Sequence, residues 1–516
     1  MSPRRMGIIA VVVIAVLSAI VAASANTATG SAATAGACQP ELEPTWGVEG
    51  EPIEVLLVCG TGQLPAAGEV RLVDAPPGAL LAADGRSIRW MPDLDQAATY
   101  DMGVQIGDER TSVVVGVGDA WAQPDNVAPL EPTRLTMESG LPVFHIVTDA
   151  SVDADEYRPA RVTHLGHEYV GAAAKLRGSL SLRYEKDNFT LRFDPNDPFT
   201  DPRLPALDGS LKLVLNGDFD DNSHLRNRVA FELWDQMSPA HLQVGHASAV
   251  VYVNGEYAGL YTVTDQIGEE FLADAGLEGG ELYKSVGHDA DFTSAPGTLA
   301  DRDLEQKVPD PKDQVVADPA VFDLYDFVDG ADDGTFRAEI ADRVVLDDFV
   351  DWLVLVSLIG AGDSTAKNAY VYGPADGSGF RAIPWDFNHS FGQDFLTHRV
   401  PPDAALPSSI VDDNRLFARL LDDPVLGALV VERTDEVLGG VGSADAVDEL
   451  VAQLGTEVRA AALRDEQRWA STHRETPAWS ERDDFTTFDQ ELDQLTAWYA
   501  ERIGVLRDDL RRVTKV

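Results

Sequence analysis

The sequence predicts a multidomain protein, in which a small all-β sandwich precedes a larger α+β domain with a helical C-terminal part. The chain has 516 residues, more than one compact domain normally holds. Short runs of alternating apolar and polar residues fill the segment 38–120, and turns rich in Pro, Gly and Asp separate them, as in small β-sandwiches. From residue 424 onward, apolar residues recur at helical spacing.

The first residues carry the pattern of an export signal. Two arginines precede an apolar run over 7–22, and an Ala-Ser-Ala site ends at Ala25. We therefore predict a signal peptide over 1–25, cleaved after Ala25, and a secreted or cell-surface protein. A retained membrane anchor is the competing interpretation, because the apolar run is only slightly shorter than a span of ~20 residues. The small-residue segment 26–37 is predicted to be a disordered linker.

The segment 38–120 is predicted to be the all-β unit. Its turn Asp-Ala-Pro-Pro-Gly at 74–78 and its Trp-x-Pro at 90–92 resemble bacterial immunoglobulin-like or cadherin-like modules. The resemblance implies an immunoglobulin-like sandwich that serves as a spacer or an adhesive module, and we assign it no catalysis. Cys38 and Cys59 are the only cysteines of the chain, and export favours a disulfide between them.

The charge of the chain bears on its partners. Forty basic residues stand against 86 acidic ones, giving a net charge of −46. This balance argues against nucleic acid, and against a membrane beyond the contact of the signal sequence. Most of the acidity predicts a solvated exterior. Two acidic clusters are weaker candidates for Ca²⁺ sites, although neither follows the EF-hand order: Asp218, Asp220 and Asp221, and Asp289 and Asp291.

Most of the chain belongs to the second domain, predicted over 141–516. An extended linker rich in Pro and polar residues is predicted before it, over 121–140. Within the domain, 344–359 is apolar on nearly all sides and predicts a buried helix. Gly360 ends this helix and delivers Asp363 to a loop.

The residues after this helix have the spacing of a phosphotransferase active site. Asp363 and Asn368 reproduce the Asp-x-x-x-x-Asn spacing in which protein kinases place a catalytic base and a metal ligand. The Asp-Phe pair at Asp386 resembles their second metal ligand. The runs 369–373 and 380–386 are strand-like, and the Pro- and Gly-containing turn between them predicts a hairpin.

The hairpin brings the candidate ligands together. In antiparallel register, Asn368 falls opposite Trp385 and Asp386, at a distance of ~5 Å between Cβ atoms. Two oxygen ligands suited to Mg²⁺ or Mn²⁺ then meet at one point, next to Asp363, the candidate catalytic residue that accepts or orients the proton of an acceptor hydroxyl. A structural role in a turn is the simpler interpretation of each residue taken alone.

Several ordered segments extend this pattern. They are Leu-Arg-Gly-Ser at 176–179, Lys-Asp-Asn-Phe-Thr-Leu-Arg-Phe at 186–193, the acidic and basic residues of 221–227, the Val-Asn-Gly-Glu-Tyr segment within 253–265, Leu-Tyr-Lys at 282–284, Pro-Trp-Asp-Phe and its continuation over 384–392, and Arg502. With these segments, the chain from about residue 141 resembles the spore-coat protein H (CotH) family of atypical, secreted kinases. The resemblance implies an atypical protein-kinase-like fold, ATP as donor, a divalent metal, and a protein Ser or Thr hydroxyl as acceptor.

Two positions depart from the family pattern. Many members have an Asp where this chain has Asn388, which can coordinate a metal through its carbonyl but removes a charge. Asp265 stands where the family usually has Glu, so its reach toward a phosphate-binding cation is shorter.

Further candidates for nucleotide binding are basic and aromatic. Arginine and lysine can both hold phosphate, and an aromatic ring can wall the adenine. Each residue taken alone is equally well explained as a surface charge or a core aromatic. The candidates are Arg177, Lys186, Arg192 and Lys284 for phosphate, Asp265 as the partner of a cation, and Tyr184 and Phe380 for adenine.

The sequence therefore predicts a secreted atypical kinase that transfers the γ-phosphoryl group of ATP to a protein, such as a cell-surface or coat protein. Two alternatives stay open. The chain can be a non-catalytic surface or matrix protein that uses this fold for binding, or an enzyme that transfers the nucleotidyl group of ATP through the same metal site.

Overall fold

The structure is a computed structural model, and it describes residues 40–41, 45–50, 52–59, 70–82, 85–93, 96, 98–106, 109–118, 135–148, 152–317, 319–476 and 485–514. The predicted signal peptide, the linker 26–37 and Cys38 of the predicted disulfide lie outside these residues, so each stays a prediction. Within the described ranges, no helix combines the length and apolarity that crossing a membrane requires.

The N-terminal unit is built from short strands, as its alternating sequence predicts. Its described strands are β1 (Pro40–Glu41), β2 (Thr45–Val48), β3 (Ile53–Leu56), β4 (Val58–Cys59), β5 (Val70–Asp74), β6 (Leu80–Leu81), β7 (Ser87–Trp90), β8 (Thr99–Ile106) and β9 (Glu109–Gly118). A four-stranded sheet has the order β2-β9-β8-β5 and a three-stranded sheet the order β3-β7-β6, while β1 pairs with β4.

The two larger sheets of this unit share one apolar core. Val55 of β3, Trp90 of β7, Val104 of β8 and Val115 of β9 are all buried in it. In β3 the side chains alternate between buried and exposed, because successive residues of a strand point to opposite faces. The likeness of this unit to immunoglobulin domains stays a prediction.

A large mixed sheet forms one side of the second domain. Its ten strands are β10 (Met137–Glu138), β11 (Leu141–Val147), β12 (Arg158–Pro159), β13 (Arg161–His164), β14 (His167–Tyr169), β15 (Ala173–Leu176), β16 (Phe189–Arg192), β17 (Lys212–Asn216), β18 (His246–Val253) and β19 (Glu256–Asp265). They follow the order β12-β15-β16-β17-β19-β18-β11-β13-β14, with β10 on β11. Sheet pairing thus begins within the segment 121–140 that the sequence predicts as a linker.

A second, smaller sheet carries the predicted hairpin. It is antiparallel, in the order β21-β20-β22-β23, and its strands are β20 (Glu281–Ser285), β21 (Leu304–Val308), β22 (Ala369–Gly373) and β23 (Arg381–Pro384). Among the residues that the structure describes, three 3₁₀ turns accompany the sheets, at Leu180–Arg183, Leu299–Arg302 and Gly362–Ser364.

Helices fill the remainder of the domain. They are α1 (Arg226–Met237), α2 (Glu269–Asp274), α3 (Ala320–Gly330), α4 (Asp333–Arg343), α5 (Leu346–Ile359), α6 (Pro407–Ile410), α7 (Arg415–Asp422), α8 (Pro424–Leu438), α9 (Ala444–Glu475) and α10 (Phe488–Thr514). One apolar core joins α1, α5, the C-terminal helices and both sheets. The predicted class of mixed sheet and helix, with a helical C-terminal part, is therefore confirmed, whereas a protein-kinase-like fold stays a prediction.

Helix α5 is the central element of this core. From Asp348 to Ile359 every one of its residues is buried, as the apolar sequence of the segment predicts. The helix ends at Gly360, whose φ of +66° is the left-handed conformation that glycine adopts without strain. This end directs the chain toward the candidate site.

Candidate active site

A cleft of about 370 Å³ opens where loops from both sheets meet. The loops that form it follow β15, β17, β20, α5 and β23. Its polar and charged lining residues are Arg177, Ser179, Ser181, Asn188, Asn216, Asp218, Asp220, Asn227, His288, Asp363, Lys367, Asn368, Asp386, Asn388 and His389.

The hairpin has the predicted register. Ala369 of β22 pairs with Pro384 of β23, and the backbone N–H of Trp385 donates to the carbonyl of Asn368 at 2.9 Å. Asn368 and Asp386 both have left-handed backbones, with φ of +58° and +67°. Such conformations cost energy in residues other than glycine and gather at functional sites. The two candidate metal ligands thus leave the paired strands side by side and line the same cleft.

Asp363 lies in the short 3₁₀ turn that follows α5. Its Oδ1 is 2.7 Å from the Nζ of Lys367, and its Oδ2 accepts a hydrogen bond of 3.2 Å from the amide of Asn368. Burial favours the neutral acid, but hydrogen bonds and charges from His389 and Lys367 outweigh it and lower the pKa of Asp363. The carboxylate is therefore ionised and held in place at neutral pH.

The donor set fits a hard divalent cation. The amide nitrogen of Asn368 donates to Asp363, which leaves its carbonyl oxygen as an acceptor. The Asp386 carboxylate has no hydrogen bond or ion pair with any described residue. No group of three or more His, Cys, Asp or Glu residues suited to a metal occurs in the described ranges. A cation at this point would therefore take amide, water or phosphate oxygens beside Asp386, as Mg²⁺ commonly does.

Asn388 contacts one member of the acidic cluster, Asp220. The Asn388 amide donates to Asp220 Oδ2 at 3.0 Å. Asp221 instead pairs with Arg226, and Asp218 accepts from Thr262 at 2.6 Å. The three carboxylates thus have different hydrogen-bond and ion-pair partners, and a Ca²⁺ site at this cluster stays a prediction.

His389 is a site residue that sequence reasoning missed. Its Nε2 is 3.0 Å from Asp220 Oδ2, and its Nδ1 is 3.7 Å from Asp363 Oδ2. Burial disfavours the charged ring, but hydrogen bonds with Asp220 and Asp363 outweigh it and raise the pKa of His389 to about 10. A cation thus stands beside the candidate catalytic carboxylate. No sequence motif identifies His389 as a site residue. The only signal in the sequence is its position directly after Asn388.

Two of the predicted basic residues lie at or behind the cleft. Arg177 lines it, donates to Asn216 Oδ1 at 2.8 Å, and places its guanidinium carbon 5.8 Å from the centre of the Trp385 ring. Lys284 lies on β20, close to Arg177 and Asp386. Burial, with the repulsion of Arg177, lowers the pKa of Lys284 to about 8, although Asp386 acts in the opposite direction. Tyr184 also lines the cleft, with its hydroxyl 3.5 Å from Asp220 Oδ2.

The structure does not bring Lys186 or Arg192 to the cleft. The Lys186 side chain is completely buried, with Nζ 2.5 Å from Asp465 Oδ2 and 2.7 Å from the carbonyl of Leu260. Arg192 is exposed, and its guanidinium lies over the ring of Tyr157 at 4.5 Å. Lys186 therefore holds α9 against the large sheet.

Asp265 and Phe380 also lie away from the cleft. Asp265 faces a different cavity, where it accepts from Ser210 at 3.4 Å. Phe380 packs beside Gly373 and next to Val344. The sequence predicts that it shares a strand face with Asp386, but β23 covers only Arg381–Pro384, and the six residue steps from 380 to 386 correspond to about 20 Å of extended chain at 3.3 Å per residue. Residues on one face of a strand are close only when they are near in sequence.

Comparisons with known proteins agree with the resemblance seen in the sequence. The chain is 21% identical over 340 residues to the inner spore coat protein H of Bacillus subtilis (strain 168), and the match covers 65% of this chain and 86% of that protein. Among solved structures, domains 5-6 of the S-layer protein SbsC match 44% of this chain and 86% of their own, at 12% identity and a TM-score of 0.12, too low to support an argument about the fold. The model of the CotH kinase protein family matches residues 174–506. The chain therefore belongs to the CotH kinase protein family.

Proposed function

We propose that this protein is an atypical kinase that transfers the γ-phosphoryl group of ATP to a Ser or Thr hydroxyl of an acceptor protein. The observation that carries the proposal is the meeting of Asp363, Asn368 and Asp386 in one cleft, with cationic side chains around them. Family membership supports a kinase-like activity, and the placement of these residues in one cleft supports their proposed roles.

Asn368 and Asp386 would hold Mg²⁺ or Mn²⁺, and Asn388 would contribute its carbonyl oxygen. The cation would neutralise charge on the phosphate oxygens of ATP. Arg177 lines the same cleft, and the fork of donors on a guanidinium matches phosphate oxygens; Lys284 adds positive charge behind it.

Asp363 would position the acceptor hydroxyl. In the transfer, the bond from the acceptor oxygen to the γ-phosphorus forms, the bond to the bridging oxygen of ADP breaks, and the hydroxyl proton leaves. The ionised carboxylate accepts a hydrogen bond from that hydroxyl and takes its proton as the new bond forms. Because Lys367 and His389 keep the pKa of Asp363 low, this residue acts mainly by orientation and accepts the proton late.

We further propose that the protein acts outside the cytoplasm, at a cell surface or coat. The apolar segment 7–22 with its Ala-Ser-Ala site supports export, and a matching relative is a spore coat protein. The N-terminal two-sheet unit would then be a spacer or adhesive module.

A labelling experiment tests the proposal. The purified protein is incubated with γ-labelled or α-labelled ATP and Mn²⁺ or Mg²⁺, with a generic protein acceptor, beside Asp363→Asn and Asp386→Asn variants. We expect γ label on protein, lost in both variants and after EDTA. Asp376→Asn is the matched control and keeps full labelling, because Asp376 lies in the exposed hairpin turn and accepts only from Ser378.

The same experiment separates the alternatives. Label from the α position of ATP would assign nucleotidyl transfer in place of phosphoryl transfer. The absence of label from both positions, together with no binding of ATP in calorimetry, would support a non-catalytic binding protein and overturn the proposal.

A further inference from the structure

A surface of positive charge lies beside the cleft, in a chain whose net charge is −46. We use the term cationic patch for four residues, Lys175, Arg192, Lys307 and Lys312. None of these four residues lines the cleft itself. Arg177, two residues after Lys175, does line it and connects the two regions.

Strand register places part of the patch on one sheet face. Lys175 of β15 pairs with Thr190 of β16, so Arg192, two residues on, is a diagonal neighbour of Lys175 on the same face. Both cations lie over the ring of Tyr157, at 5.3 and 4.5 Å from its centre. The next strand adds Lys212 directly opposite Arg192. Like charges at such positions repel each other.

The patch contains cations that form no ion pair with a carboxylate among the described residues. Four of the seven lysines that the structure describes form ion pairs, namely Lys186, Lys212, Lys307 and Lys367. The other three are Lys175, Lys284 and Lys312, and no carboxylate in the described ranges reaches ion-pair distance of them. Lys175 and Lys312 belong to the patch. With 86 acidic residues in the chain, this local lack of partners is informative.

Repulsion within the patch is large enough to affect titration. Burial together with the charges of Lys307, Lys312 and Arg177 lowers the pKa of Lys175, and Glu305 offsets only part of this effect. Glu305 itself is 2.6 Å from Lys307. An added anion that faces several of these cations at once would relieve the repulsion.

We propose that the cationic patch docks a segment of the acceptor protein that already carries phosphoserine or phosphothreonine. This inference rests on the proposed function for the origin of the phosphate. A phosphate group carries about −1.5 to −2 charges and three acceptor oxygens, so it can face Lys175 and Arg192, which share the Tyr157 ring, and still attract the other cations of the patch. Docking one phosphorylated residue beside the cleft would place a neighbouring hydroxyl of the same chain near Asp363, so that phosphorylation spreads along the acceptor.

The position of the patch favours a protein segment over the nucleotide. The cleft has its own cations in Arg177, Lys367 and His389, whereas the patch lies outside it. When one residue of an extended acceptor lies in the cleft, the neighbouring residues of that acceptor must lie on the surface around the cleft, where the patch is.

Direct binding tests this inference without any catalysis. Fluorescein-labelled Gly-Ser peptides with two phosphoserines, with unmodified Ser, or with Glu at the same positions are titrated with the full chain, and anisotropy is recorded. We expect the phosphopeptide to bind at least about tenfold more tightly than the other two. In Lys175→Gln/Lys312→Gln its Kd rises about tenfold, since two charge-assisted contacts of roughly 0.7 kcal/mol each are lost.

The matched control removes the same charge elsewhere. Arg89→Gln/Arg161→Gln alters two exposed arginines outside the patch, and we expect its Kd to stay within about twofold. Equal binding of the phosphopeptide and the Ser peptide, or an unchanged Kd in the lysine double variant, would overturn the inference. Equally tight binding of the Glu peptide would show that the patch binds acidic peptides in general. Displacement of the phosphopeptide by ADP would show that the patch binds the nucleotide. Either result would also overturn the inference. If the phosphopeptide binds but no γ label is transferred, the phosphopeptide-binding role of the patch would stand and the proposed kinase activity would be rejected.

Discussion

Asp363 shows how neighbours fix the state of one side chain. Three groups hold it: Lys367, Asn368 and His389. Together they keep the carboxylate charged and fix its direction, which a residue that orients a hydroxyl needs. Its position after a buried helix makes the turn rigid, because Trp352 donates to the carbonyl of Ser364 at 3.0 Å.

Replacing this carboxylate should reduce turnover rather than nucleotide binding. In Asp363→Asn the isosteric amide keeps the shape of the turn but cannot accept a proton. We expect kcat to fall by about 10²–10⁴-fold while the KM for ATP changes by less than about threefold. Steady-state kinetics with a protein acceptor measure both constants. An increase in KM with unchanged kcat would show that Asp363 contributes to binding and not to the transfer step.

Asp265 provides a test of pH-dependent stability. Burial, partly offset by hydrogen bonds from Gln266 and Ser210, raises its pKa to about 7, while an unfolded Asp titrates near 3.8. Between these values the folded state keeps a proton that the unfolded state releases, so the free energy of unfolding falls as the pH rises from about 4 to 7. We expect Asp265→Asn to be more stable than the unmodified protein at pH 8, on the order of 4 kcal/mol, and equal to it near pH 4.

Urea unfolding at the two pH values measures this difference. Asp376→Asn is the control, because its carboxyl is exposed in a turn. A gain for Asp265→Asn that is the same at pH 4 and pH 8 would contradict the assigned pKa and point to a packing effect.

At the scale of elements, the β22–β23 hairpin has regular strand pairing, and the residues at one end of it, Asn368 and Asp386, have left-handed backbones. Asn368 has φ of +58°, a conformation that favours glycine and disfavours alanine. We expect Asn368→Gly to be more stable than Asn368→Ala by about 1 kcal/mol, while both variants lose transfer activity. Thermal unfolding and γ labelling of both variants give the comparison. Equal stability of the two would mean that residue 368 does not hold the left-handed backbone.

The same hairpin shows which parts of the site the sequence could predict. The register of Asn368 opposite Trp385 follows from a turn and two short strands, which are local features. The helix before Asp363 could also be predicted from local sequence, because its apolar residues form one continuous run. Phe380 does not line the cleft, because the alternation of side chains along a strand predicts a face but not a distance from the site.

Contacts between distant segments could not be predicted in this way. Lys186 meets Asp465 across 279 positions of sequence, and His389 meets Asp220 across 169. Residue spacing and periodicity are informative only over short stretches of sequence. They therefore cannot predict that α9 packs on the large sheet. For the same reason the sequence predicted the mixed fold class and the helical C-terminal part, but not the order of the ten strands.

At the scale of the whole domain, a buried arginine joins its beginning to its end. Arg226 is fully buried, pairs with Asp221 and with Glu491 of α10, and donates to the carbonyl of Ser390 at 2.9 Å. Ser390 directly follows His389, so the same side chain connects α1, the C-terminal helix and the candidate site. Glu491 has a second partner in Arg399, at 2.7 Å.

Removing Arg226 should therefore destabilise the domain as one unit. Arg226→Met leaves the buried Asp221 carboxylate without its ion-pair partner and removes one of the two cations that pair with Glu491. We expect a loss of about 3–5 kcal/mol, seen as one shifted transition by both far-ultraviolet circular dichroism and tryptophan fluorescence. Arg459→Met, which breaks an exposed pair with Asp489, should lose less than about 1 kcal/mol. Similar losses in the two variants would show that burial does not govern the strength of these ion pairs. Two separate transitions in Arg226→Met would show that α10 is not part of the cooperative unit that holds the site.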